Sequence, residues 1–297
     1  MFCDNSAINE MNPGMAGFLV AKKRMVELNG GMQQGIVYLL GAGPGDPGLI
    51  TVRGRDLLGM AEVLVYDALS SAEMLNWVPV ACERIYVGKH ARPQEEFYAL
   101  LARLGRAGII VVRLIGGDPY VFGRGGEEAD ALHEAGIPFE VVPGVTSAIA
   151  GPAYAGIPVT HRGYCTQFTV FTGHEGENKK ASSLNLKGIA EAQGTKVMLM
   201  GMQKLADVCE ALIGYGQEPS VPAAAVQWAT TGIQRTVPGT VKTLPARVQK
   251  AGVGAPAVVV IGDVVKERES LNWFEKLPLF GKRIVVTRTR AQAGELR

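Results

Sequence analysis

The sequence predicts an α/β protein of two domains, a mostly parallel N-terminal sheet followed by a mixed C-terminal sheet. Three observations predict it. From about residue 35, short apolar runs alternate with amphipathic stretches, the order of strand, helix and strand in a doubly wound sheet. Glycine-rich turns close several of those runs, and 38 glycines in 297 residues exceed ordinary usage. The chain is long enough for two domains, and new strands begin after interruptions at Pro152, Gly156 and Pro158.

Taken in order, residues 1–34 read as a flexible leader. Its apolar piece, Met15 to Ala21, has acids before it and Lys22-Lys23-Arg24 after it, the reverse of a secretory signal; Met25 and Met32 are alternative starts. Ile36 to Leu40 forms the first strand, Gly41 to Gly48 the turn, and a helix capped near Thr51 carries Leu57, Leu58 and Met60. Glu62 to Asp67 is a strand ending in a carboxylate, and Arg84 to Lys89 one ending in a cation. Pro93 opens a helix with Phe97, Leu100, Leu101 and Leu104 at helical spacing. Ile109 to Ile115 is a buried strand closed by Gly116-Gly117-Asp118-Pro119. Glu127 to Ala135 is helix, Phe139 to Val142 strand, and Pro143 to Ser147 a third turn, which sets the N-terminal domain at 35–147.

The second domain, 148–266, takes strands at Phe168 to Thr172, Lys196 to Met200 and Ala257 to Ile261, with a polar surface loop from Gly173 to Ser183. Gln234 to Thr243, with Pro238-Gly239 inside it, reads as a hairpin and makes this sheet mixed. Residues 267–280 read as a closing helix and linker. Residues 281–297 start a basic strand with no partner element, read as the truncated start of a further domain.

Composition excludes several function classes. Hydrophobic content of 47%, charged content of 20% and a net charge of +2 describe a soluble globular protein with no global field for nucleic acid or membrane. No apolar run is long enough to span a bilayer. Cys3, Cys82, Cys165 and Cys209 are far apart and the four histidines are scattered, so the reading is a cytoplasmic protein without disulfides or metal.

The chemistry gathers at strand ends. Gly41 to Gly48 resembles a dinucleotide fingerprint but fails it, because Asp46 stands where the third glycine belongs and Pro47 stiffens the turn. No Gly-Lys-Ser/Thr follows, so it is not a phosphate loop either. Such a rigid loop, poor in free donors, suits a neutral or cationic ligand. The three glycine turns, with Asp67 and Lys89, all lie at carboxyl ends of strands and so line one rim, where open parallel sheets bind ligands.

Four runs carry a resemblance. Val37 to Pro47 resembles the N-terminal signature of the tetrapyrrole methylases. Val112 to Glu128 resembles the second signature of their uroporphyrinogen III branch, and Val142 to Ala148 and Ala155 to Gly163 continue the match in order. The likeness spans about Gly35 to Glu275; its Gly-Gly-Asp-Pro…Phe-Gly-Arg-Gly-Gly-Glu-Glu run is one that diphthine synthases and ribosomal RNA ribose methylases lack.

The resemblance implies a homodimer with its site in the cleft between two α/β domains. It implies two methylations of uroporphyrinogen III by S-adenosyl-L-methionine, through precorrin-1 to precorrin-2, for sirohaem or cobalamin, with S-adenosyl-L-homocysteine as product. The donor would fold against Pro44, Gly116, Gly117, Asp118, Val121, Thr146, Ser147, Met200 and Ala229. Asp67 and Lys89 match positions with proton acceptor and donor roles; Arg124, His161 and Arg162 would meet the substrate carboxylates, a task that suits arginine. The tail 281–297 is similar to the start of uroporphyrinogen-III synthase, implying a fused partner domain. A sulfonium donor is already activated, which removes the need for a metal. A sibling methylase of a later corrin precursor, a nicotinamide-dependent oxidoreductase disfavoured by Asp46, and a non-catalytic ligand-binding domain are the alternatives.

Overall fold

In the computed structural model, residues 35–68, 72–88, 93–173, 184–285 and 287 are described. The expected leader, Lys89, most of the loop after Gly173 and most of the tail beyond Val285 lie outside the described residues. Strand β1 (Ile36–Gly41) is buried on both faces: Val37 and Leu39 enter one apolar cluster, Tyr38 and Leu40 another. Two buried faces are what a parallel sheet covered by helices demands. Asp46 caps a single turn at Pro47–Leu49, and Thr51 caps helix α1 (Val52–Leu58) through Oγ1, which accepts from Gly54 N at 3.1 Å. Strands β2 (Val63–Tyr66) and β3 (Glu83–Tyr86) follow. Helix α2 (Gln94–Arg106) starts after Pro93 and buries Leu100, Leu101 and Leu104.

Strand β4 (Ile110–Ile115) leads through the second glycine turn into helix α3 (Gly125–Glu134), and β5 (Phe139–Val142) ends the series. The five strands pair in parallel in the order β3-β2-β4-β1-β5. β1 therefore lies between β4 and β5, and the three strands closed by glycine turns are neighbours.

Helix α4 (Ser147–Tyr154) was not foreseen, because Pro152 reads as a break. The helix carries that proline near its end, after Thr146 has capped its start. Next come β6 (Phe168–Thr172), α5 (Leu186–Glu191), β7 (Thr195–Leu199) and α6 (Leu205–Gly214). Strands β8 (Pro222–Gln227) and β9 (Arg235–Thr240), helix α7 (Leu244–Ala251) and strand β10 (Ala257–Ile261) complete a second sheet of order β6-β7-β10-β8-β9. It is mixed: β6 and β7 are parallel and the remaining pairs antiparallel.

The hairpin is not where Pro238-Gly239 pointed. Those residues lie inside β9, which pairs with β8 from Arg235 to Thr240, so the hairpin is β8–β9. β9 is an edge strand, where a missing N–H breaks no ladder.

The closing helix also resolves differently, as a turn at Asp263–Glu267, short helix α8 (Arg268–Leu271) and a turn at Phe274–Lys276. Glu275 pins this segment, accepting from Gln234 Nε2 at 2.9 Å, from Thr236 Oγ1 at 2.5 Å and from Arg268. Lys282 to Val285 are exposed and in no strand, so the new strand expected there does not form in its described part.

Candidate functional site

The three glycine turns meet through their backbones. Gly43 and Gly117 exchange hydrogen bonds, Gly117 N to Gly43 O at 2.8 Å and Gly43 N to Gly117 O at 3.1 Å. A Cβ on Gly144 would lie 2.2 Å from Gly117 O and 2.8 Å from Gly41 Cα, and one on Gly41 would lie 2.5 Å from Gly144 N. Only glycine allows this approach. Asp118 locks the arrangement: Oδ2 accepts from Gly144 N at 3.0 Å and Oδ1 from Tyr120 N at 2.8 Å. Thr146 and Ser147 begin α4 beside Gly117, where a Cβ would find Thr146 Cα at 3.8 Å.

The second sheet closes on the first turn. A Cβ on Gly45 would meet Ala229 O at 3.1 Å and Thr231 Cγ2 at 3.0 Å. Asp46 N donates to Thr230 Oγ1 at 2.9 Å, and Tyr154 OH donates to Asp46 Oδ2 at 3.1 Å. β7 and β8 both run antiparallel to β10, so Met200 and Ala229 follow strand ends on one edge of that sheet. The structure thus gathers the turns holding Pro44, Gly116, Gly117, Asp118, Thr146, Ser147 and Ala229. Val121 is tied to Asp118 by its N–H, and Met200 is 48% exposed on the same edge of the second sheet as Ala229.

Strain marks the same turns. The five described non-glycine residues with left-handed φ are Phe122, Arg124, Met200, Trp228 and Thr230, all after β4, β7 or β8. Such residues cost about 1–3 kcal/mol each and persist only where the surroundings over-determine them.

Asp67 follows Tyr66, which is level with Leu114 on β4, so it stands beside the second glycine turn. Its Oδ2 lies 3.4 Å from Nη1 of Arg113, a residue the sequence reading passed over. Arg113 is 7% exposed, its Nε faces Glu128 Oε1 at 3.3 Å, its Nη1 donates to Leu114 O at 2.7 Å, and Phe97 lies across its plane. Glu128 starts no solvated helix turn: it is 3% exposed, and its Oε2 has no partner. Burial pushes its carboxyl up to about 7, against the pull of Arg113. The sequence signal was available, since a charge within the apolar run Ile110 to Ile115 has to be paired.

Arg124 is exposed at the start of α3. His161 and Arg162 are exposed in the turn after α4, where His161 Nδ1 accepts from Gly163 N at 3.1 Å. Among the described residues, no hydrogen bond or ion pair joins these three side chains to the glycine turns. Lys89 lies outside the described residues. Among the described residues there is no group of His, Cys, Asp and Glu able to hold a metal, and Cys82, Cys165 and Cys209 are free thiols.

A parallel sheet whose glycine-closed strand ends face the return loops of a mixed sheet defines a two-domain α/β protein. The chain belongs to the tetrapyrrole (corrin/porphyrin) methylases, whose family model matches residues 36–245. It is 47% identical over 259 residues to the uroporphyrinogen-III C-methyltransferase of Bacillus subtilis (strain 168), a match covering 86% of this chain and 53% of that relative. It is 47% identical over 242 residues to the S-adenosyl-L-methionine-dependent uroporphyrinogen III methyltransferase of Methanosarcina barkeri, covering 80% of this chain and 95% of that one. The solved uroporphyrin-III C-methyl transferase from Thermus thermophilus complexed with S-adenyl homocysteine superposes with a TM-score of 0.68 at 40% identity, covering 77% of this chain and 93% of that chain. The chain spans about half the length of the first curated relatives it matches.

Proposed function

We propose that this chain is an S-adenosyl-L-methionine-dependent C-methyltransferase that converts uroporphyrinogen III through precorrin-1 to precorrin-2, for sirohaem or cobalamin synthesis. The observation that carries the reading is the backbone junction of Gly41, Gly117 and Gly144 facing the Ala229 loop. It leaves a rigid cradle at adjoining strand ends, and the Methanosarcina barkeri relative, matched over 95% of its length, is named for this donor and substrate.

The donor supplies a methyl group already activated on a sulfonium. Pro44, Gly116, Gly117, Asp118, Val121, Thr146 and Ser147 form its wall on the parallel sheet, and Met200 and Ala229 its wall on the mixed sheet. Met200 presents a polarizable apolar surface. The task of these residues is alignment of methyl, sulfur and ring carbon. Asp67 takes the proton lost from the methylated carbon and Lys89 returns one in the tautomeric shift. Arg124, His161 and Arg162 meet the substrate carboxylates. The working unit is a homodimer, and the free thiols suit a reducing cytoplasm.

Incubation with uroporphyrinogen III and donor tests the reading: precorrin-2 absorbance supports it, and its absence with fresh donor and reduced substrate sinks it. Sedimentation at micromolar concentration checks the dimer.

A further inference from the structure

Arg113 is a buried cation shared between two carboxylates. Its side chain leaves β4 on the face covered by α2 and α3, between Asp67 at the end of β2 and Glu128 on α3. Both ion-pair contacts are long, at 3.4 and 3.3 Å, whereas its 2.7 Å bond goes to the Leu114 carbonyl. Neither carboxylate therefore holds the guanidinium in a bidentate fork. Phe97 fixes the plane of the group at 5.2 Å. Glu128, 3% exposed with an orphaned Oε2, has no structural need met by its second oxygen.

We propose that Glu128 and Arg113 are positioning residues that set the state of Asp67 from behind the cleft, Glu128 acting through Arg113. This rests on the reading of the site given above. When Glu128 is ionised it shares with Asp67 the charge of Arg113. When Glu128 is protonated the whole guanidinium charge falls on Asp67, which becomes a weaker base. The exchange is a proton bound or released at Glu128, with no other bond made or broken.

Among the described residues, three further charged or titratable groups act on this cluster. Glu127 lies beside Glu128 on α3 and acts on it, and Arg124 at the start of α3 and Tyr98 on α2 sit in the same field. Glu128 is pushed up to about 7 by burial first and only partly drawn back by Arg113, so the device would operate near neutral pH.

The test is Glu128→Gln, which keeps the shape and an acceptor for Arg113 Nε but is neutral at every pH. Calorimetry with S-adenosylhomocysteine first shows that the donor pocket is intact. In the native protein kcat rises with pH through an inflection near that of Glu128. In the variant the inflection disappears, and kcat on the alkaline side falls by about tenfold, the effect of roughly one unit of lost basicity. A kcat profile that superimposes on the native one overturns the proposal. Glu128→Asp restores the inflection if the charge matters; failure to restore it, with binding intact, also counts against the proposal. A second arm does not depend on turnover: the carboxyl carbon resonance of Asp67 responds to the Glu128 titration in the native protein and loses that response in Glu128→Gln. If the native protein makes no precorrin-2, the functional reading fails, and this resonance alone decides the coupling. An Asp67 signal identical in both proteins refutes it.

Discussion

Replacing Gly144 by alanine tests the junction on which the proposed site rests. The added Cβ would lie 2.2 Å from Gly117 O and 2.8 Å from Gly41 Cα, and both neighbours are backbone, so no side chain can rotate away. Carbon approaches a carbonyl oxygen to about 3.3 Å, so the Gly117 turn has to retreat by roughly 1 Å. That movement strains the two Gly43–Gly117 bonds and the bond from Gly144 N to Asp118. Overpacking costs about 1–3 kcal/mol, and one weakened hydrogen bond about 1 kcal/mol more. The expected loss is about 3 kcal/mol, a fall in Tm of about 5 °C for a chain of this size. A 1 Å misplacement of an aligned site costs on the order of a hundredfold in rate, and donor affinity should fall by at least about tenfold. Differential scanning calorimetry reads the first quantity, and titration with S-adenosylhomocysteine at low temperature reads the second. The control is Gly126→Ala in the neighbouring motif. Its Cβ meets nothing within 4 Å and it lies inside α3, so alanine should stabilise by about 0.5–1 kcal/mol. Native donor affinity and an unchanged Tm in Gly144→Ala would refute the argument that these turns form one cradle.

Three further expectations follow from other contacts. Tyr154→Phe should cost about 1 kcal/mol by removing the bond to Asp46, and Asp46→Ala about 2 kcal/mol because the Gly48 cap is lost as well; a double-mutant cycle by urea unfolding isolates the shared part, and additive costs would deny the contact. Glu128 binds its proton more tightly folded, at about 7, than unfolded at 4.5, so stability falls as pH rises through that window. Glu128→Gln should remove this slope, gaining on the native protein by on the order of 1 kcal/mol per unit of pH, as read from urea midpoints at several pH values. Glu275 behaves oppositely: burial raises its pKa, but bonds from Thr236, Gln234 and Arg268 outweigh that and lower it. Its contribution is present above the ordinary carboxylate range and lost as pH falls through the lowered value, and Glu275→Ala should cost about 3 kcal/mol in chemical unfolding at neutral pH.

The parallel sheet was legible in the sequence because its signals are local. Val37, Leu39, Val63, Val65, Val111 and Ile115 sit in short apolar runs bounded by glycine or by a carboxylate, and burial on both faces leaves little ambiguity. The mixed sheet was less so. β8 is built on Ala223-Ala224-Ala225, residues of low strand propensity that become buried only because β10 and β9 flank them. Pro238-Gly239 carries the composition of a turn, and only the position of β9 at the sheet edge makes it strand. Helix α4 was hidden by Pro152, which lies inside it as the sixth of its eight residues and gives up one helical hydrogen bond there. At the site, the glycine turns could be read one by one, but their contact through Gly117 and Gly144 is long-range. Arg113 and Glu128 sit in motifs that explain themselves locally, one as part of a strand and the other as a helix start, so their pairing appears only in the packed structure.

Asp46 shows why this crevice differs from a dinucleotide site built on a similar strand, turn and helix. In that fold the third glycine lets the helix approach the sheet, and free N–H groups at the helix start face a pyrophosphate. Here the N–H of Asp46 is spent on Thr230 Oγ1, its carboxylate accepts from Gly48 N and from Tyr154 OH, and Thr51 occupies the N–H of Gly54. Three donors of this turn are thereby engaged within the protein, and a carboxylate stands among them. The turn has become a strut between the two sheets. A loop that carries negative charge and offers few donors repels phosphate and tolerates a cation, which is the charge of a sulfonium. The substitution that disqualifies the fingerprint is thus the one that joins the sheets.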